Sequence, residues 1–443
     1  MWDRHDGGSP RPILSNLNVV AVIIGIVIGI GIFRLPPLVA QNASTGTQFL
    51  GFWVAGGLIS MVGALCYAEL ASLKPDAGGE YYLLRKAYGS TIGFLFSWGR
   101  MTVIQTGSIA LAALILGDYA SRLVDLGPYS TSIYAAVSVL LLTGLNIWGT
   151  RPSKNTQNVI TGIVVFTLLT IGITSLFMPF GSVDSSGSLL STEGTTGMAM
   201  IFVLLTYGGW NEAVYLSAEL KDARENMLRV LISGLAIITI VYVLVNLAYL
   251  QILGMETLRS ADAIGVNLME SMIGDRGGVI ISLIVIVSAL STTNATIITG
   301  ARTNYAMGRD YPLLKKLGIW NQKRDTPRNA LLAQGAIVML LILLGALSDD
   351  AVSTMVDYTA PVFWFFILLT TISLFIFRSR NDLSDYPYLV PFYPLTPILF
   401  VLACSYLLYS SLAFTGIGAL FGIGILALGT PLYLWNQRNF SEK

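Results

Sequence analysis

The stretch Gly25-Ile26-Val27-Ile28-Gly29-Ile30-Gly31-Ile32-Phe33-Arg34-Leu35-Pro36-Pro37 decides how the rest of the chain is read. With its flanks, about Leu14–Gln41, it exceeds the roughly 20 apolar residues that a helix needs to cross a bilayer. Three glycines interrupt it, each costing about 1 kcal/mol against Ala inside a helix. Prolines at 36 and 37 then remove backbone donors where the helix would resume. Tyr207-Gly208-Gly209-Trp210-Asn211, flanked by Thr206 and Glu212, breaks a second apolar run in the same way. Glycines in membrane helices also serve simple close packing, and Gly25 and Gly29 have the spacing for it. For one helix alone the two readings are balanced. Backbone opened at membrane depth, however, survives only where protein or a polar cavity satisfies its N–H and C=O groups.

The composition outside these stretches fits a membrane protein. Of 443 residues, 54% are hydrophobic and 12% charged, about half the charge of a soluble domain. The net charge of +1 points to no polyanionic partner. Cys66 and Cys404 lie far apart in apolar runs, as small buried hydrophobes. The single histidine, His5, precedes the first span, which argues against zinc, haem or His-based nucleophilic chemistry, and hence against an intramembrane enzyme. No signal-peptide cleavage pattern is expected before Ala40.

Twelve candidate spans follow: Leu14–Gln41, Gly51–Leu73, Thr91–Arg122, Ser130–Trp148, Thr156–Met178, Thr196–Leu216, Arg229–Leu253, Gly277–Ala301, Asn329–Leu347, Ser353–Phe377, Leu395–Phe414 and Ile417–Trp435. With the N-terminus placed in the cytoplasm, only Arg122, Arg259 and Arg276 fall in connections on the opposite side, and Arg34 and Arg100 lie within spans. Every other Lys and Arg is cytoplasmic, which satisfies the positive-inside rule with both termini inside. The interrupted spans are then the first and the sixth, equivalent positions in two halves of five. That pairing points to inverted repeats with a binding site at their interface. The N-terminal end of each second half-helix offers N–H groups to a carboxylate. The C-terminal end of each first half-helix offers carbonyls to an ammonium.

Several motifs carry a resemblance. Gly29-Ile30-Gly31-Ile32-Phe33 resembles the G-S-G-I-F signature of amino acid–polyamine–organocation permeases. Tyr67-Ala68-Glu69-Leu70 and Pro75-Asp76-Ala77-Gly78-Gly79-Glu80-Tyr81-Tyr82-Leu83 resemble that family's second-span exit and re-entrant loop. Arg302 with Tyr305–Asp310, and Tyr393-Pro394-Leu395-Thr396-Pro397, resemble its later segments. Tyr207–Asn211 followed by Glu219-Leu220-Lys221 looks most like the L-type branch. The resemblance implies an all-α integral membrane fold with 12 transmembrane helices. It would be a five-plus-five inverted repeat (LeuT-like), with discontinuous helices 1 and 6 and two trailing helices. The expected division is 1–12 tail, 13–178 first repeat, 195–378 second repeat, 394–436 trailing helices and 437–443 tail. The implied activity is secondary amino-acid transport by alternating access, in a cell membrane and with a prokaryotic source expected.

The resemblance also implies roles for residues. Gly29, Ile30 and Gly31 would bind the substrate carboxylate, and carbonyls around Val27, Ile28, Leu205 and Thr206 the ammonium, beside Tyr207 and Gly208. Thr106, Gly107 and Ser108, with Phe363 and Trp364, would face the substrate side chain. Ile30 replaces the usual serine, and Leu205 the L-type aromatic gate, which favours small-to-medium neutral substrates. The segment Ser121–Ser130 lacks the cysteine that links animal members to a heavy chain, so no heavy-chain subunit is expected.

The coupling ion is left open by the residues. The fifth-span stretch Thr161-Gly162-Ile163-Val164-Val165 lacks the lysine of many proton-coupled or exchanging relatives. Ser288, Ser291 and Thr292 share one helical face. With carbonyls near Gly25 and Ile28, they resemble a sodium site of oxygen ligands. The same hydroxyls equally suit bonding within their own helix. Sodium symport is the leading expectation, with amino-acid exchange or proton coupling as alternatives. Glu212 is read equally as a proton carrier, a selectivity group or a solvated carboxylate. Arg34 is expected to pair with Asp357 as an outer gate, or to reach the headgroups. Trp210 is expected to support the site. Glu69 and Glu80 would face the Lys221 and Arg302 clusters as an inner gate, or sit as solvated charges. Arg100 and Gln105 carry no assignment.

Overall fold

A computed structural model describes residues 15–73, 75, 78–149, 154–177, 196–217, 220–324, 326–380, 382, 386–413 and 417–440. The readings made of His5, Lys74, Asp76, Ala77, Arg151, Glu219 and residues 178–195 lie outside these. Among the described residues the chain is helical, apart from an isolated antiparallel pairing of Asn321 with Thr326.

Nine helices among the described residues are long and apolar enough to cross a membrane. In the numbering of the expected spans they are the second (Gly46–Leu73), third (Ser90–Leu123), fourth (Ser130–Trp148), seventh (Ala223–Ser260), eighth (Asp275–Asp310), ninth (Arg328–Ala346), tenth (Ala351–Arg380), eleventh (Leu395–Ala413) and twelfth (Gly418–Arg438). The expected first, fifth and sixth spans are not among the nine. The first is divided into Asn16–Val27, a tight turn Ile30–Phe33 and Pro36–Gln41. The sixth is divided into Thr196–Thr206 and Trp210–Leu216. The fifth is the 22-residue helix Lys154–Ser175, of which Val159–Ser175 is the apolar stretch among the described residues.

The second span packs along the seventh, the third along the eighth and the fourth along the ninth. The first half of the first span lies against the seventh and against the Trp210–Leu216 segment. Apolar residues such as Leu58, Leu141, Phe166, Ile240, Leu340 and Leu402 cover the outside, a surface that suits hydrocarbon rather than water. Gly117 permits a close helix contact, because a Cβ there would overlap the Thr131 carbonyl oxygen of the fourth span.

Candidate functional site

Both breaks follow from their glycines. At the first, Gly29 is non-helical (φ −105°, ψ −148°) and its N–H folds back onto the Val27 carbonyl at 2.8 Å. At the second, Gly209 takes φ +106°, a conformation that side chains disfavour. A Cβ on Gly209 would also meet Ile26, and one on Gly31 would meet Thr206. The glycines therefore bring the two breaks against each other.

Tyr242, fully buried on the seventh span, ties them together. Its hydroxyl lies 2.7 Å from the Val27 carbonyl and 3.1 Å from that of Thr206. Its ring meets Trp53 edge-on at 5.9 Å and Tyr207 at 5.1 Å. Nothing in its local sequence marks Tyr242, since its importance lies in what it reaches.

The expected substrate groups are disposed unevenly. The Gly29 N–H and the Val27 carbonyl are already bonded to each other, and the Leu205 carbonyl accepts from the Gly208 N–H at 3.0 Å. The N–H groups of Ile30 and Gly31 open a new helical turn, where no intrahelical partner exists. Thr106 is buried and bonds the Thr102 carbonyl, Gly107 packs on Thr359, and exposed Ser108 bonds the Ile104 carbonyl. Gly208, Trp210, Phe363 and Trp364 line a small cavity with Ile59, Ser60 and Phe400. That cavity has room for about one water, and its lining includes neither the first break nor the eighth-span hydroxyls.

Of the expected cation ligands, Ser288 is buried and Ser291 and Thr292 are half-buried. The Thr292 hydroxyl lies 3.9 Å from where a Gly29 Cβ would stand. Thr161 of the fifth span faces Gly25, its hydroxyl 2.8 Å from the equivalent point. Ile28 is buried beside them. Oxygens from the fifth and eighth spans thus converge on the first break.

Charged residues lie on both sides of the breaks. At the end away from the Lys/Arg-rich loops, Arg34 reaches Asp118 at 3.1 Å and Asp350 at 3.5 Å. This corrects the expected partner: Asp357 sits one helical stretch further along the tenth span, with its Cβ against Gly418. The backbone around Arg34 is also held. Tyr119 donates to the Phe33 carbonyl at 2.8 Å and Tyr249 to that of Ile32 at 3.3 Å. On the other half of the first span Val19, Ile23, Val27 and Ile28 are buried, while Leu17 and Ile26 are exposed.

At the basic end the glutamates are buried and paired, not solvated, and their partners are not Lys221 or Arg302. Glu69 accepts from Arg378 Nε and Nη2, both at 2.6 Å, and from the Val390 N–H at 2.6 Å. Arg100 grips both oxygens of Glu212 at 2.9 Å, bonds the Tyr215 hydroxyl at 3.0 Å and approaches Glu80 at 3.9 Å. Glu80 accepts from Tyr67 at 2.8 Å and Asn211 at 3.2 Å. Gln105 joins the third span to the eighth through the Thr296 carbonyl and the Thr299 hydroxyl, both at 3.1 Å. Trp210 packs edge-on against Tyr67 at 5.0 Å.

A multi-pass bundle with two abutting broken helices and buried charge pairs on either side has the build of a membrane transporter rather than an enzyme. Residues 14–428 match the amino acid permease family, and the chain belongs to it, within the L-type branch of the amino acid–polyamine–organocation superfamily. The chain is 30% identical to the rat b(0,+)-type amino acid transporter 1 over 88% of its length and 81% of the relative's. Against the mouse Large neutral amino acids transporter small subunit 2 it is 28% identical, over 97% of its length and 82% of the relative's. A protein named as a small subunit is one chain of a larger assembly, which overturns the expectation that no partner subunit is implied. The missing cysteine bears only on a covalent link, and two membrane proteins associate without one.

Proposed function

We propose that the chain is an amino-acid exchanger working by alternating access, with the substrate's carboxylate and ammonium held at the paired breaks. The observation that carries this reading is the contact of the two breaks through Tyr242. Packing of the second span on the seventh, third on eighth and fourth on ninth supports a five-plus-five inverted repeat, with twelve spans once the broken and short helices are counted. The positive-inside rule assigns the basic end and both termini to the cytoplasm. With Arg34–Asp118 and Arg100–Glu212 both formed, the carrier is shut at both ends.

Exchange is favoured over free return by the two charge locks. Opening either end parts an ion pair whose guanidinium is buried, Arg34–Asp118 outside or Arg100–Glu212 inside. Stranding a buried charge costs about 3–5 kcal/mol, enough to slow an empty carrier roughly 10²–10⁴-fold unless bound substrate offsets it. Small-to-medium neutral amino acids suit Leu205 and the uncharged third-span segment. Sodium coupling is the second reading, favoured by the Thr161 and Thr292 hydroxyls beside Gly25 and Gly29 of the first span.

The test is uptake of labelled neutral amino acids into proteoliposomes. Uptake that requires internal unlabelled amino acid and ignores sodium supports exchange. Accumulation driven by inward sodium alone, and lost in Ser291→Ala or Thr292→Ala, refutes exchange in favour of symport.

A further inference from the structure

Beneath the sixth-span break, two carboxylates share one guanidinium. Arg100 is 4% exposed and Glu80 3%. Arg100 gives Nη2 to both oxygens of Glu212 and Nη1 to the Tyr215 hydroxyl, and its Nε has no hydrogen-bond partner. Glu80 stands on a short helix, Gly79–Tyr88, between the second and third spans. Its Oε1 accepts from Tyr67 and Asn211, while Oε2 has only the Tyr215 hydroxyl at 3.4 Å and Arg100 at 3.9 Å. Among the described residues, the other cations at that helix are engaged away from Glu80: Arg380 of the tenth span donates to the Lys86 and Ala87 carbonyls at the opposite end of the helix, and Arg85 bonds Tyr81 and Asp310. Ser90–Gly99 contains no titratable side chain, and the nearby Arg378 of the tenth span is engaged by Glu69. If both carboxylates are ionised, one negative charge is buried without compensation, which a low-dielectric site does not sustain.

We propose that this cluster is a proton-binding site, in which Glu80 carries one proton while the cytoplasmic side is shut and releases it as that side opens. Burial pushes the Glu80 carboxyl above the usual carboxylate range, against the pull of Arg100. The proton sits on Oε2, the less occupied oxygen. Opening draws Glu212, on the sixth span, away from Arg100, on the third. The freed guanidinium then pairs with Glu80, the O–H bond of Glu80 breaks, and the proton leaves to cytoplasmic water. Its return restores the closed form. The proton enters and leaves on the same side, so it sets the opening equilibrium without crossing the membrane.

Infrared difference spectra of the full chain in lipid test the site independently of transport. The closed form at neutral pH is expected to show a protonated-carboxyl C=O component. Glu80→Gln removes it. Glu212→Gln removes it as well, because one carboxylate and one guanidinium then remain, and this variant keeps Glu80 should the first fail to fold. Absence of the component in the parent protein, or its survival in either variant, overturns the proposal. The transport arm rests on the exchange reading: exchange should rise with internal pH, by up to about tenfold per unit for one proton. That slope should vanish in Glu80→Gln, and a flat parent profile overturns the proposal. A chain that exchanges nothing at any pH refutes the exchange reading, and the infrared component still decides the proton site.

Discussion

Replacing Tyr242 by Phe removes one hydroxyl and leaves the aromatic contacts to Trp53 and Tyr207 in place. The Val27 carbonyl keeps the Gly29 N–H as a partner, whereas the Thr206 carbonyl loses the hydroxyl. A net hydrogen bond is worth about 1 kcal/mol, and a buried acceptor left unsatisfied about 1–3 kcal/mol. The expected loss is therefore roughly 1–3 kcal/mol, which is a factor of about 5 to 150 in an equilibrium constant. The apparent KM of exchange in proteoliposomes should rise within that range, and thermal unfolding in lipid nanodiscs should shift downward. Tyr249→Phe, which loses only a 3.3 Å contact to the Ile32 carbonyl, should do less. A Tyr242→Phe protein with KM and unfolding temperature both unchanged would refute the view that this hydroxyl holds the breaks together.

Arg378→Ala strands Glu69, fully buried, without its guanidinium. A loss of about 3–5 kcal/mol is expected, read as lower thermal stability and partly restored by a second change, Glu69→Gln. Asp118→Asn weakens the outer lock, so exchange should begin to tolerate an empty return, seen as uptake without internal amino acid and absent from the parent. Gly117→Ala drives a methyl into the Thr131 carbonyl and should cost about 1–3 kcal/mol, as overpacking does, seen as reduced yield of folded protein.

The features legible in the sequence are local ones. Gly29-Ile30-Gly31 and Gly208-Gly209 break helices because of what glycine is, so their breaks are visible in the chain alone. The apolar runs mark most spans for the same reason. Arg34 was equally visible, but its partner was not: Asp118 lies 84 residues away on the third span, and only the packing of that span chooses it over Asp357. Glu212 admitted three readings until Arg100, 112 residues earlier, filled both its oxygens. Glu69 and Glu80 read as loop charges because the residues that bury them, Arg378 and Tyr67 among others, belong to other segments. The absent cysteine of segment Ser121–Ser130 misled because it speaks of one kind of bond, not of association.

The Tyr242 hydroxyl has a single hydrogen and two carbonyls within reach, at 2.7 and 3.1 Å. It donates fully to one only at the other's expense. An ammonium drawn to the Thr206 oxygen would leave the hydrogen to Val27, and one drawn to Val27 would release it to Thr206. The two halves of the protein are thus rivals for one atom, and occupancy at either break is registered at the other without any residue having to travel between them.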